Sequence, residues 1–221
     1  MFFWAFCDAA ERPAWRFREK NGATQDANPS ILARETSRLG GFSVTRTEYM
    51  VTGGRAVRLL VSDGAQIAAI VDAISLDAPR CVYTPFSMPQ TDDLSCNVAS
   101  KSRLVLRAGG RGAKLFRMTN RVDGADLMDG CGLLLPDGFA AGTLRITPYS
   151  GLYAFGCRHL SVFALAEAAD EKIKGWHMEG ADAIEIAAPD KRCRLRISLD
   201  EAGVTLNDPF VEAAKTVSID A

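Results

Sequence analysis

The stretch that decides the fold is TGGRAVRL, residues 52–59, which recurs as AGGRGAKL at residues 108–115. Both copies place two glycines before a basic residue and then continue into an apolar segment. A looser copy, PDKRCRL, occupies residues 189–195. Glycine supplies the positive φ that tight hairpin turns need, so the copies predict turns between antiparallel strands. The repeated phrase therefore predicts a sheet built from hairpins.

Strand patterns extend outward from these turns. Residues 42–51 alternate in polarity, as a strand with one buried face does. The spacing between the copies is unequal, which argues against a solenoid or propeller repeat. The second hairpin is expected over residues 103–118, and further strands at residues 56–61, 143–147, 152–157, 183–187, 192–199 and 204–206.

Helical spacing appears in two longer segments. In residues 64–76 the apolar residues recur at i, i+3, i+4 and i+7, after a start at Asp63 that resembles a capping box. Residues 161–174 have similar spacing, and Gly175 would end that helix. A shorter helix is expected at residues 29–38 because proline stands at its first position.

The fold class predicted from these patterns is α+β with strands dominant. We expect an antiparallel β-sandwich or a partly open barrel, with the two main helices at about 64–76 and 161–174. An N-terminal arm with a short helix is expected over residues 1–41, and a strand-rich body over residues 42–221. The body is either one unit or subdivided near residues 90–100, after a proline-containing stretch.

The composition excludes several classes of protein. The chain has 221 residues, of which 48% are hydrophobic and 24% charged, so general disorder is not expected. A net charge of −1 gives no overall field that would attract nucleic acid. No apolar run is long enough to cross a bilayer. We therefore expect no nucleic-acid or membrane partner, and synthesis in the cytoplasm.

Catalytic and metal-binding motifs are not evident. The chain has two histidines, His159 and His177, and no nucleophile elbow of the G-x-S-x-G type. A zinc set of both histidines with Cys131 and Cys157 matches no known ligand spacing. The glycine-rich phrases lack the Lys-Ser/Thr pair of a phosphate loop, and the acidic residues of 123–130 do not follow the order of an EF-hand. We expect no catalytic residue, no cofactor and no metal.

The cysteines are spread along the chain without a CxxC pair. Most are expected to be small buried hydrophobes, and disulfides in a particle that matures outside the reducing cell are the alternative. The six residues are Cys7, Cys81, Cys96, Cys131, Cys157 and Cys193.

The first six residues carry four large aromatic rings: Phe2, Phe3, Trp4 and Phe6. Residues 2–7 fit a strand, and four rings at one chain end are costly to leave in water. Such an end is either buried in the chain's own domain or docked on a neighbour, and we predict that these residues contact another protein subunit or a second copy of the chain.

The function predicted from these features is that of a structural or interaction protein. It would be a subunit of a larger assembly, such as a virus particle or a phage tail. One alternative is a β-barrel that binds a small ligand. The other is an enzyme that uses Cys157, His159 or His177.

Overall fold

The computed structural model describes eleven stretches of the chain: residues 1–18, 23–84, 86–89, 91–100, 103–121, 132–134, 143–149, 156–179, 183–188, 193–200 and 203–207. The helices in these stretches are α1 (Phe2–Glu11) and α2 (Asp170–Ile173). The strands are β1 (Arg16–Arg18), β2 (Thr24–Asp26), β3 (Ser30–Leu39), β4 (Phe42–Val51), β5 (Gly54–Ser62), β6 (Ile67–Tyr83), β7 (Phe86–Pro89), β8 (Ser95–Ser100), β9 (Arg103–Ala108), β10 (Arg111–Arg121), β11 (Gly132–Leu134), β12 (Thr143–Tyr149), β13 (Gly156–Ala169), β14 (His177–Glu179), β15 (Ala183–Ala187), β16 (Cys193–Asp200) and β17 (Gly203–Asn207).

Most of the strands form one antiparallel main sheet. Its strands follow one another in the order β3, β4, β5, β6, β13, β10, β9 and β8. Five further strands pair at its margin: β1, β2, β7, β11 and β12. Strands β14 to β17 form a second sheet, a four-stranded antiparallel meander. The predicted strand-dominant class with antiparallel sheets is confirmed. No helix in the described residues is long and apolar enough to cross a membrane.

The second sheet packs against one face of the main sheet, which we call the front face. Leu59, Val71 and Val162 lie on this face, on three neighbouring strands. They belong to one buried cluster with Ile184 and Ile197 of the second sheet. Contact between the two layers thus removes apolar side chains of both sheets from water.

The opposite face, the back face, is covered by α1. Ile70 and Phe163 lie on this face and share a buried cluster with Phe2, Phe3 and Phe6. The central strands β6 and β13 are therefore covered on both sides. Their sequences are nearly continuous apolar runs because neither face meets water.

Glu167 holds α1 against the back face. Its carboxylate is fully buried and accepts hydrogen bonds from the Phe3 N–H, at 2.6 Å, and from Arg111 Nε, at 2.9 Å. The Met1 ammonium lies 3.1 Å from the same carboxylate. Burial raises the pKa of Glu167, but these contacts outweigh burial and hold the pKa below its ordinary value.

The predicted helix over residues 64–76 is wrong, because residues 67–76 are the start of β6 and residues 64–66 belong to the turn before it. Asp63 Oδ1 does accept the backbone N–H groups of residues 65, 66 and 67, at 2.8–2.9 Å. The capping chemistry read from the sequence is thus present, but it closes a β5–β6 turn in which Gly64 has φ +79°. The helical spacing arises by coincidence within a strand that is apolar on both faces.

Three further local predictions are wrong. Residues 161–169 belong to β13, and only the single turn of α2 follows. The helix expected at residues 29–38 is the exposed edge strand β3. Residues 2–7 form a helix, not a strand, because Phe2, Phe3 and Phe6 then reach one face of α1.

The hairpins predicted by the repeated phrase are confirmed. Gly53 has φ +73° between β4 and β5, and Gly109 and Gly110 have φ +55° and +70° between β9 and β10. The turn of the third copy lies outside the described residues, although β16 follows it. The division at residue 41 stays a prediction, with β3 paired to β4 across it.

We expect Gly54→Ala to destabilise the fold strongly. A Cβ at this position would lie 2.0 Å from the Ser75 carbonyl oxygen of the neighbouring strand, so the backbone would have to move. Overpacking of this kind costs about 1–3 kcal/mol. The matched control is Gly41→Ala, since a Cβ there meets nothing within 4 Å. Equal free energies of unfolding in urea for the two variants would contradict the packing of β5 on β6.

We expect Glu167→Gln to lower the melting temperature at neutral pH and to matter less in acid. The folded-state pKa of Glu167 lies below its ordinary value of 4.5, so its contribution is present above that value. The contribution is lost as the pH falls through the folded-state pKa. Circular dichroism melts between pH 6 and pH 3 measure this, with the exposed α1 residue Glu11 changed to Gln as the control. A difference between wild type and Glu167→Gln that does not shrink in acid would refute the anchor.

Candidate functional site

A cavity of about 360 Å³ opens between the main sheet and the segment that follows α2. We call it the basic pocket. Strands β9 and β10 form its floor, and residues 174–178 form its wall. Its lining residues are Ala99, Arg103, Leu104, Val105, Lys114, Leu115, Phe116, Lys174, Gly175, Trp176, His177 and Met178.

The floor presents two cationic side chains on the front face. Arg103 pairs with Phe116 in the antiparallel register, and Lys114 pairs with Val105. Alternation along β10 sends Leu115 into the core of the back face and leaves Lys114 on the front. The Lys114 ammonium donates a hydrogen bond to the Trp176 carbonyl oxygen, which joins floor and wall.

The wall is shaped by the turn that ends α2. The Gly175 N–H donates to the Lys172 carbonyl oxygen, at 3.1 Å, and the Trp176 N–H donates to that of Ile173, at 3.2 Å. Ile173 and Trp176 are buried and hold the turn against the main sheet. Lys174 is exposed at the mouth of the pocket.

His177 follows at once and is also exposed at the pocket. It begins β14, and the next residue, Met178, is buried in the core between the sheets. The alternation of the strand therefore directs the imidazole away from the core. His177 is the only histidine among the residues that line the pocket.

Gly112 allows α2 to approach the main sheet closely. A Cβ at Gly112 would lie 2.7 Å from Ile173 Cγ2 and 3.3 Å from Asp170 Oδ1. Gly112 stands in the second hairpin phrase where the first phrase has Ala56. It therefore serves packing of the pocket wall rather than the turn itself.

The charge of the pocket is positive. Arg103, Lys114 and Lys174 line it, and none of the lining residues that the structure describes is acidic. The nearby carboxylate of Asp170 accepts a hydrogen bond from Arg107 Nε at 2.7 Å. Three cations around a cavity with Phe116 in its floor suit an anion that also has an apolar or ring-shaped surface.

A second polar cluster lies on the back face but is closed. Asp72 accepts two hydrogen bonds from Arg58, at 2.6 and 2.7 Å, and one from Trp15 Nε1, at 2.9 Å. Arg58 also donates to the Ala10 carbonyl oxygen, at 3.0 Å. These side chains are buried, so the cluster joins β5, β6 and the chain after α1 rather than receiving a ligand.

The four aromatic residues predicted as an interface are divided. Phe2, Phe3 and Phe6 are buried in the chain's own core. The prediction that these three rings contact another chain is therefore corrected. The reason is that α1 already provides them with an intramolecular partner surface. Trp4 is 67% exposed and packs edge-on against Phe3. An interface contact at Trp4 stays a prediction.

The two histidines do not come together. His159 is buried on the main sheet, whereas His177 lies on the second sheet at the basic pocket. Within the described part of the chain, no three His, Cys, Asp or Glu side chains are grouped as metal ligands. Cys131 and residues 123–130 lie outside the described residues.

Four of the cysteines are free thiols: Cys7, Cys81, Cys96 and Cys157. Burial raises the pKa of Cys7 and of Cys81 to about 11, so both stay protonated at neutral pH. Cys81 is buried as predicted, whereas Cys7 is half-buried. The side chain of Cys193 lies outside what the structure describes.

The comparisons with known proteins find likeness in structure alone. No protein-family model matches the chain, and no curated protein sequence matches it. A solved structure of a heparinase III is similar over 79% of this chain, with a TM-score of 0.54 and 11% identity. A heparan sulfate lyase, HepC from Pedobacter heparinus, is similar over 74%, with a TM-score of 0.54 and 8% identity.

A further heparinase III structure has a TM-score of 0.52 at 10% identity over 79% of the chain. This chain spans only 27–29% of the length of these three proteins. At such identities the likeness establishes a shared fold. It contradicts the predictions of a virion or phage-tail subunit and of a chain that is not an enzyme, because the three proteins named here are heparinases or heparan sulfate lyases.

Proposed function

We propose that this chain binds an acidic polysaccharide in the basic pocket, as part of a protein with polysaccharide lyase activity. The observation that carries the proposal is a cavity lined by Arg103, Lys114 and Lys174, with no acidic side chain among its described lining residues, in a fold shared with heparan sulfate lyases. The fold likeness supports the class of substrate, and the pocket supports the place where it binds.

The geometry of the pocket suits a sugar polymer with carboxylate or sulfate groups. Lys174 at the mouth can move to follow an anionic group, whereas Lys114 is held by the Trp176 carbonyl oxygen. A cavity of about 360 Å³ is in the range of small-ligand sites and accommodates a short stretch of a polymer.

The pocket also offers groups that elimination chemistry requires. A lyase removes the proton from the carbon beside the acidic group, stabilises the negative charge that develops there, and breaks the bond to the glycosidic oxygen, which takes a proton from water as the carbon–carbon double bond forms. Arg103 and Lys114 can supply the positive charge. The exposed imidazole of His177 is the group at the pocket that can act as the base.

We expect Lys174→Gln to weaken binding of heparan sulfate about three- to tenfold, equivalent to about 0.7–1.4 kcal/mol, because one cationic contact is lost. Isothermal titration calorimetry at low salt measures the effect. The matched control is Lys172→Gln, an equal change of charge on an exposed residue of α2 that does not line the pocket. Binding to a neutral polysaccharide should be undetectable for every variant.

Equal losses for the two lysine variants would mean that only the general field of the surface attracts the polymer. Absence of any binding by the wild-type chain would contradict the proposal as a whole. The ultraviolet absorbance of unsaturated products reports lyase activity in the same samples. In that assay His177→Gln should lower the rate more than the affinity if the imidazole accepts the proton.

A further inference from the structure

The edge strand β8 borders the basic pocket beyond β9. It is the last strand in the order of the main sheet, and Ala99 of β8 is one of the residues that line the cavity. Asn97 and Ala99 are both exposed, although they lie beside the floor formed by β9 and β10. A ligand that extends from the pocket on this side therefore passes over β8.

A row of three paired residues runs from the floor of the pocket to β8. Lys114 of β10 pairs with Val105 of β9, and Val105 pairs with Asn97 of β8. Paired residues in antiparallel strands point to the same side of the sheet, so all three lie on the front face. Neighbouring strands lie about 4.8 Å apart, which places the Cα atoms of Lys114 and Asn97 about 10 Å apart. Lys114 and Val105 line the cavity, and Asn97 continues the row beyond it.

A β-bulge at Ala99 shapes the rim between the cavity and Asn97. The two neighbours of Ala99 in β8 pair with consecutive residues of β9, so Ala99 itself is the additional residue in the ladder. Bulges bend the strand that carries them and are frequent at sheet edges and beside active sites. Because the bulged residue carries only a methyl group, it leaves the exposed amide of Asn97 accessible from the cavity.

The amide of Asn97 is suited to the hydroxyl groups of a sugar. An asparagine side chain both donates and accepts hydrogen bonds, as a hydroxyl group does. Within the part of the chain that the structure describes, the Asn97 side chain has no hydrogen-bond partner. Val105 beside it is half-buried and offers an apolar surface to the C–H face of a sugar ring.

We propose that Asn97 is a specificity-determining residue, whose amide binds hydroxyl groups of the sugar unit next to the one held in the basic pocket. The inference rests on the proposed function, which supplies the class of ligand. The cations of the pocket attract any anion of suitable size, because charge alone does not distinguish a sugar from another anion. Hydrogen bonds to sugar hydroxyl groups and contact with Val105 add that distinction, since a few placed polar groups give a site its specificity.

The test compares Asn97→Ala with the wild type by isothermal titration calorimetry of the full chain. Binding of a heparin-derived tetrasaccharide should weaken about three- to tenfold, because the hydrogen bonds between the amide and the sugar are lost. The substitution removes no charge, so the field at the pocket is unchanged. Binding of inorganic pyrophosphate should be the same for both proteins, because this anion is too compact to extend from the cations of the pocket to Asn97.

The matched control is Gln25→Ala, which removes an exposed amide of β2 and likewise changes no charge. β2 pairs with β1 at the margin of the main sheet and contributes no residue to the described lining of the cavity. The control should bind the tetrasaccharide as the wild type does. Equal melting temperatures of the three proteins verify that both variants fold.

Unchanged tetrasaccharide affinity of Asn97→Ala, together with the expected loss for Lys174→Gln, would overturn this inference and leave the proposed function intact. An equal loss for pyrophosphate would also overturn it, because Asn97 would then act on the anion rather than on the sugar. An equal loss in Gln25→Ala would overturn it as well. If the wild-type chain does not bind the tetrasaccharide, both proposals fail.

Discussion

Burial of the central strands on both faces is the constraint on which the rest of the structure depends. Strands β6 and β13 carry apolar side chains on either side, so each face needs a cover. The second sheet covers the front, and α1 covers the back, where Glu167 fixes it through the Phe3 N–H and Arg111. The basic pocket exists because the front cover reaches the main sheet through α2, and Gly112 allows that close approach.

Local turn chemistry was the part of the fold that could be predicted from the sequence. The two glycine phrases identified their hairpins because positive φ values at Gly53 and Gly110 are a local requirement. The helices at 64–76 and 161–174 were predicted wrongly, since a strand buried on both faces loses its alternation and can match helical spacing by chance. The carboxylate of Asp63 added to the error, because the same acceptor geometry serves a helix start and a tight turn.

The candidate site could not be predicted from sequence, because its parts are distant along the chain. Arg103 and Lys114 come from one hairpin, and Lys174 and His177 from a turn about sixty residues later. Each is an ordinary surface residue when considered alone, and only the packing of α2 on β10 groups them. The aromatic N-terminus was predicted to contact a partner, but three of its four rings pack against the chain's own main sheet. The resulting assembly hypothesis gave way to the fold shared with heparan sulfate lyases.

The most direct test of polysaccharide binding is a crystal structure of this chain soaked with a heparin-derived tetrasaccharide. We expect sugar density in the basic pocket, with a sulfate or carboxylate group within hydrogen-bond distance of Lys174 and a second acidic group beside Arg103 or Lys114. Such a complex would show that the positively charged cavity binds an acidic polysaccharide, the class of substrate that the fold likeness indicates. Density confined to the back face, or a pocket that holds only water at saturating ligand, would contradict it.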